Sequence, residues 1–274
     1  MIDTCRRNLT TEEGGSVCNT AGEENVNNVR ALVEDCCGWN RKTWADAIEF
    51  AVSQFPERLD AKKVLEIGAG TYSSVSPIFS SKGAERVCSY YGQRQEDVQN
   101  GQLQTVVQKY SLKKIPIIEQ NIYNIEGKYD IIILKSVLGG ICRYNDYAKI
   151  SVIVDKLFVK NIREGGALLT LDNGHVNLFE RARRLWGAGK NEWTYFTQDK
   201  LISSLSGYQV IIKGFGFLNV GAAKFLLQGN YEFINDIIYN IDKVLIRLVT
   251  SHDRAVLSTI IRKTPHRYAC EPVS

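Results

Sequence analysis

The chain has 274 residues, 44% of them hydrophobic and 23% charged, and 34 Lys and Arg against 30 Asp and Glu give a formal net charge of +4. With a mean hydropathy near zero, this is an ordinary globular balance, enough for one large α/β domain with accessory helices but too little for two catalytic domains. The basic residues are dispersed apart from a cluster at Arg181, Arg183, Arg184 and Lys190, so no nucleic-acid partner is expected.

Residues 1–26 contain no apolar core of a secretory signal, and apolar runs such as 131–134 are strand-sized, far from the ~18–20 residues of a membrane helix. A cytoplasmic protein with no membrane partner is the expectation. The seven cysteines, Cys5, Cys18, Cys36, Cys37, Cys88, Cys142 and Cys270, are odd in number and scattered, with no C-x-x-C pair. Reduced thiols and no metal site follow.

In chain order, residues 1–25 are polar and glycine-containing and read as a mobile arm. From 26 to 58, Val29, Leu32 and Val33, then Trp44, Ala47, Ile48, Ala51 and Val52, recur at helical spacing. Two cap helices broken near Gly38 and ended by Pro56 are predicted, with Trp39 and Trp44 in their core. A domain over 59–264 then alternates short apolar runs with helical periods, the pattern of a parallel sheet covered on both faces. Strands are predicted at 63–67, 86–89, 117–118, 129–134, 167–171, 208–215 and 255–262, and helices near 74–81, 96–110, 147–161 and 197–205. The fold class is a doubly wound, Rossmann-like α/β domain with seven strands. An insertion at 218–250, with helical spacing at Phe233, Ile237, Ile238, Ile241, Val244, Leu245 and Leu248, is expected to form a lid or an oligomer face. Residues 265–274 read as a tail, and His252 and His266 as surface residues.

The chemistry concentrates where Val64-Leu65-Glu66-Ile67 runs into Gly68-Ala69-Gly70-Thr71. Glycines let a backbone approach a ligand, and the helix start that follows offers free N–H groups, so a nucleotide-like ligand is the natural occupant beyond the strand ends. A ligand-free tight turn is the alternative. The dinucleotide fingerprint would need a glycine or alanine at Ser73 and an acid after the second strand, and neither is present.

On these residues the chain resembles the class I S-adenosylmethionine-dependent methyltransferases over roughly 39–262. The resemblance is carried by Glu66-Ile67-Gly68-Ala69-Gly70, by Lys128-Tyr129-Asp130-Ile131-Ile132-Ile133-Leu134, and by Arg163-Glu164-Gly165-Gly166-Ala167-Leu168-Leu169. It is similar more closely to a bacterial small-molecule group through Lys135-Ser136-Val137-Leu138-Gly139-Gly140-Ile141, Trp186-Gly187 and Trp193-Thr194-Tyr195-Phe196-Thr197. The resemblance implies S-adenosylmethionine as cofactor, with Glu66, Gly68, Ala69, Gly70 and Thr71 around its methionine part. It also implies Lys135 and Ser136 beside the sulfonium, and Asn121 and Ile122 by the adenine. The chain departs from the family after the second strand, where Cys88-Ser89-Tyr90-Tyr91 replaces the usual acid. Hydroxyls of Ser89, Tyr90 or Tyr91 are then expected to meet the ribose. Asn121 likewise stands where an Asp is frequent.

The acceptor side is read in Leu171-Asp172-Asn173-Gly174-His175. His175 and Asp172 are the catalytic candidates, since a base near neutral pKa can take a proton from an attacking oxygen or nitrogen, and Asn173 is a substrate contact. An ordinary loop histidine is the competing reading. Arg184, Trp186, Trp193 and Tyr195 are candidates for holding an anionic or ring-bearing acceptor, against the alternative of a solvated helix face over packed aromatics. No Asn-Pro-Pro-Tyr motif points to methylation of amino groups on bases or glutamines, and Asp172-Asn173 alone does not make a cation site. The function expected is O-methylation of a small-molecule acceptor. A cofactor-binding protein without turnover is the rival, a nicotinamide dehydrogenase comes third, and homo-oligomerisation stays open.

Overall fold

The computed structural model describes residues 29–38, 40–71, 73–176, 193–218, 231–249 and 252–264. The segments read as an N-terminal arm and a C-terminal tail lie outside these, as do Trp39 and His266. Seven strands, β1 (Lys63–Ile67), β2 (Glu85–Tyr90), β3 (Ile117–Glu119), β4 (Tyr129–Lys135), β5 (Ile162–Asn173), β6 (Tyr208–Phe215) and β7 (Val256–Lys263), form one sheet in the order β3-β2-β1-β4-β5-β7-β6. The central strands are buried on both faces, as in Ile131–Leu134 of β4, which is why they read as unbroken apolar runs with no alternation.

The helices are α1 (residues 29–35), α2 (Arg41–Ser53), α3 (Ser76–Ser81), α4 (Gln95–Gln99), α5 (Gln102–Lys109), α6 (Leu138–Ile141), α7 (Ala148–Lys160), α8 (Gln198–Ser204) and α9 (Tyr231–Leu245). On one face Val64, Ile131, Ile133, Leu169 and Ile260 pack with Trp44 and Ile48 of α2 and Ile78 and Phe79 of α3. On the other, Leu65, Ile132, Leu134, Leu168 and Leu257 pack with Ile150, Val154 and Phe158 of α7 and Leu201 of α8. Trp44, Ala47, Ile48 and Ala51 are all buried, one stripe at helical spacing that seats α2 on the sheet.

Three expectations are corrected. The sheet is mixed: β7 runs antiparallel to both β5 and β6. The Ala255 N–H donates to the Gly216 carbonyl at 2.8 Å, so the chain re-enters the sheet at the edge where β6 left it, and a strand starting there must run the other way. The single helix expected at 96–110 is two, parted at Gly101. A Cβ there would stand 2.5 Å from the Thr71 carbonyl oxygen, to which the Gln102 N–H donates at 2.8 Å. The helix expected at 74–81 begins only at Ser76.

The described part of the insertion is a helix seated on α2. The Tyr239 hydroxyl donates to Asp46 at 2.8 and 3.0 Å, and Lys42 pairs with Asp236 at 2.8 Å. Buried Asp242 accepts from the Phe217 N–H at 2.8 Å and the Leu218 N–H at 2.8 Å, where the chain leaves β6. Among the described residues, no helix is long and apolar enough to cross a membrane.

Removing the acceptor of two buried amides is costly, whereas truncating an exposed neighbour is not. Asp242→Ala is therefore expected to lower stability by about 1–3 kcal/mol in urea unfolding, with Lys243→Ala close to neutral; equal effects would contradict this role.

Candidate active site at the carboxyl edge of the sheet

The turn after β1 is built around Glu66. Its side chain is buried and accepts from Ser74 Oγ at 2.5 Å, the Val75 N–H at 3.0 Å and the Ser76 N–H at 2.9 Å. The last two are the amides that begin α3, so the carboxylate is an internal cap for a helix with no capping residue of its own. Hydrogen bonds to a charged acceptor contribute roughly 1.5–3 kcal/mol each, enough to offset burial of the charge. This capture also explains the late start of α3, because Ser74 and Val75 are spent reaching Glu66.

Of the two glycines, Gly68 carries the geometric demand. Its φ is +80°, and a Cβ would lie 2.6 Å from Val137 Cγ2, on the segment leaving β4. At Gly70 a Cβ would meet nothing nearer than the Gln93 side chain at 3.5 Å. The Ala69 N–H donates to the Ser89 carbonyl at 2.9 Å, Thr71 Oγ1 is 3.3 Å from Gln93 Oε1, and Ser73 Oγ donates to the Cys36 carbonyl at 3.0 Å. The glycine turn is thus tied to the end of β2, to the segment after it, and to the α1–α2 connection.

At the neighbouring strand ends, the Ser89 side chain is fully buried and its Oγ has no protein hydrogen-bond partner. Tyr90 is buried and Tyr91 exposed. Tyr90 lies in register with Glu119 of β3; burial and then this carboxylate push its phenol upward. Asn121 Oδ1 accepts from the Tyr123 N–H at 3.0 Å, so it caps its own turn, with Ile122 buried behind it. The sequence reading missed Glu119, Gln93 and Gln120, whose Oε1 is buried without a partner. Only the β2–β3 register reveals that Glu119 stands beside the position where the β2 acid is missing.

At the ends of β4 and β5 two charged groups are buried, on opposite faces. Lys135 lies over the Trp44 ring at 4.3 Å, and burial lowers its pKa against the attraction of Cys37, Glu66, Cys36 and Asp172. Asp172 faces Thr170 and the amides of Leu138 and Gly139, which favour its charge, but closes no hydrogen bond of standard geometry; burial dominates and raises its pKa to about 7. Ser136 adopts φ 54°, and its Oγ, like His175 Nδ1, is buried without a hydrogen-bond partner. Asn173 and His175 are half-buried.

The two stretches around Gly139 and Trp193 meet. The Thr194 N–H donates to the Gly139 carbonyl at 3.0 Å, Thr194 Oγ1 donates to the Cys142 carbonyl, and the Asn145 N–H donates to Thr194 Oγ1 at 3.1 Å. A Cβ at Gly139 would stand 2.0 Å from Trp193 Nε1, and one at Gly140 2.9 Å from the same ring. The paired glycines are therefore the floor on which the indole lies. Phe196 continues the contact, with its N–H on the Asn173 carbonyl at 3.2 Å and its carbonyl accepting from the His175 N–H at 2.8 Å. Trp193 and Tyr195 are both half-buried beside this edge, whereas Arg184, Trp186 and the rest of the basic cluster lie outside the described residues.

No family model matches the chain, and no curated protein sequence matches it. Solved structures do. Geranyl diphosphate C-methyltransferase from Streptomyces coelicolor, solved with S-adenosylhomocysteine, aligns at TM-score 0.51 and 9% identity over 81% of this chain and 76% of its own. Magnesium protoporphyrin IX methyltransferase from Synechocystis, also with S-adenosylhomocysteine, aligns at 0.50 and 12% over 89% and 96%. Phosphoethanolamine N-methyltransferase 2 from Haemonchus contortus aligns at 0.49 and 12% over 80% of this chain, which spans about half, 52%, of that enzyme. At such identities the likeness is one of fold: this chain has the class I methyltransferase fold, with the strand order described above.

Two outcomes test this geometry. Gly139→Ala drives a methyl group into the Trp193 ring and should cost about 1–3 kcal/mol of stability in thermal or urea unfolding, more than Gly140→Ala. Asp172 has a folded pKa of about 7 against an ordinary 3.8, so the stability it contributes is complete below the lower value and lost as pH rises through the higher. Asp172→Asn should therefore gain on the wild type in melting temperature across that range. Parallel curves would contradict the burial argument.

Proposed function

We propose that this chain is an S-adenosylmethionine-dependent methyltransferase acting on a small-molecule acceptor, with oxygen as the methylated atom. The observation that carries the reading is the row of buried polar atoms without protein partners beside the glycine turn: Ser89 Oγ, Gln120 Oε1, Ser136 Oγ and His175 Nδ1, at or just past the carboxyl ends of β2, β3, β4 and β5. Buried polar groups are ordinarily satisfied, and in this topology ligands lie beyond those strand ends. Gly68, held at positive φ and exposed, supplies the close backbone approach.

When bound, S-adenosylmethionine supplies a methyl group activated by a sulfonium. Gly68, Ala69, Gly70 and Thr71 would hold its methionine part, Ser89, Tyr90 and Tyr91 its ribose, and Asn121 and Ile122 its adenine. Glu66 acts one step removed, since its oxygens are committed to α3. Ser136 lines the centre, while the Lys135 ammonium is drawn towards Trp44, which spares the sulfonium a like charge. On the acceptor side, His175 and Asn173 orient the nucleophile, with Trp193 and Tyr195 as one wall. Asp172 takes up or shares the released proton, a task for which a carboxyl titrating near neutrality is suited. Arg184 and Trp186 remain part of this proposal. Most of the rate would come from holding the reactants in line. The tyrosines ending β2, in place of an acid, favour the second reading of a cofactor-binding protein without turnover.

Calorimetry decides first. S-adenosylmethionine and S-adenosylhomocysteine should bind with one site per chain and NAD should not, and Gly68→Ala should weaken both by about tenfold or more, because a Cβ is strained at this φ. NAD binding, or no binding of either sulfur compound, overturns the proposal; binding without turnover across candidate acceptors selects the second reading. Once an acceptor is found, Asp172→Asn should lower turnover by roughly 10²–10⁴-fold at nearly constant cofactor affinity, with a smaller loss for His175→Asn.

A further inference from the structure

The face of α9 turned away from α2 is apolar and, among the described residues, uncovered. Phe233 is 69% exposed, Ile237 43%, Ile241 48%, Val244 61% and, just past the helix end, Leu248 80%. Its opposite face is committed, through Tyr239 on Asp46, Asp242 on the Phe217 and Leu218 amides, buried Asn235, and Leu245 and Val249 packed against the core. The helix therefore cannot turn its apolar stripe inward without breaking these contacts.

We propose that α9 pairs antiparallel with α9 of a second copy of this chain, making the insertion the contact of a two-fold dimer. The spacing of Ile237, Ile241, Val244 and Leu248 is four, three, four, the seam of a helix that packs on another helix. The stripe is also self-complementary. An antiparallel match centred between Asn240 and Ile241 sets Phe233 against Leu248 of the second copy and Ile237 against its Val244, and brings the two Ile241 side chains together, as a two-fold contact requires.

The area fits the same occupant. The exposed fractions amount to on the order of 500 Å² of apolar surface, within the range of the largest patch on a monomer, which is often an interaction site. Doubled across a two-fold this reaches ~1,000 Å², the floor for a specific interface. Charge argues against a lipid surface: residues 231–249 carry three acids, Glu232, Asp236 and Asp242, against two bases, Lys243 and Arg247, whereas helices lying on membranes are rich in Lys and Arg.

Sedimentation velocity of the full chain tests the pairing. The wild type should dimerise with increasing concentration, and Ile241→Glu with Val244→Glu should be monomeric with an unchanged circular dichroism spectrum and melting temperature. Should that double variant fail to fold, Phe233→Lys, at the end of the stripe, should weaken dimerisation by about tenfold or more. A wild type that stays monomeric at ~100 µM, far above a micromolar dissociation constant, overturns the proposal whether or not it sediments with phosphatidylcholine vesicles. So does a dimer that persists in folded variants. None of these readouts depends on cofactor binding.

Discussion

One buried carboxylate organises the carboxyl edge of this sheet. Glu66 stands among the buried apolar side chains Val64, Leu65 and Ile67 of β1, and its charge is tolerable because Ser74, Val75 and Ser76 bring three donors to it at bonding distance. That capture decides where α3 begins, and hence how long the glycine turn before it must be. The turn then leans on the Ser89 carbonyl through Ala69, on Val137 through Gly68, and on the α1–α2 connection through Ser73. Three separate pieces of chain converge on a loop whose shape is set by one side chain. An Ala at 66 would remove a hydrogen-bond acceptor and also release the start of the helix.

The second buried carboxylate on this edge behaves differently, and the contrast supports the proton-handling role proposed for Asp172. Glu66 has its oxygens filled by donors at bonding distance, whereas Asp172 has amides and a hydroxyl nearby but none in bonding geometry, and its pKa rises to about 7. A saturated carboxylate holds structure, and an unsaturated one near neutral pKa can exchange a proton. Asp172 lies on the face of α6, and Lys135 on the opposite face over Trp44. The two charges attract each other through the sheet end without forming a direct pair. The zipper of Gly139 and Gly140 with Trp193 and Thr194 closes the same region from the side and gives the two glycines a purely steric purpose.

Much of the fold was legible because its signals are local. Buried central strands such as 131–134 are apolar without interruption, and the helical stripe of Trp44, Ala47, Ile48 and Ala51 is visible in any window. What escaped was set by contacts distant in sequence. The reversed direction of β7 depends on Ala255 meeting Gly216 across an insertion, and the break at Gly101 on the approach of Thr71. The late start of α3 depends on Glu66, eight and more residues earlier. In the site, the glycine turn was legible, and the stretches around Gly139 and Trp193 stood out as motifs, but not that the two meet. Glu119 could not be read, because a three-residue strand carries too little pattern to reveal its register beside Tyr90. Nor could the sequence rank Gly68 above Gly70, since that difference lies in a backbone angle.

The central claim, that the cofactor settles on the glycine turn at this edge, is tested most directly by hydrogen exchange with and without S-adenosylhomocysteine. The account predicts slowed exchange at the amides of residues 68–71, 89–91 and 135–139, with the amides of α9 unchanged. Binding that leaves the glycine turn unprotected, or that protects only segments away from the carboxyl ends of β1, β2 and β4, would contradict it.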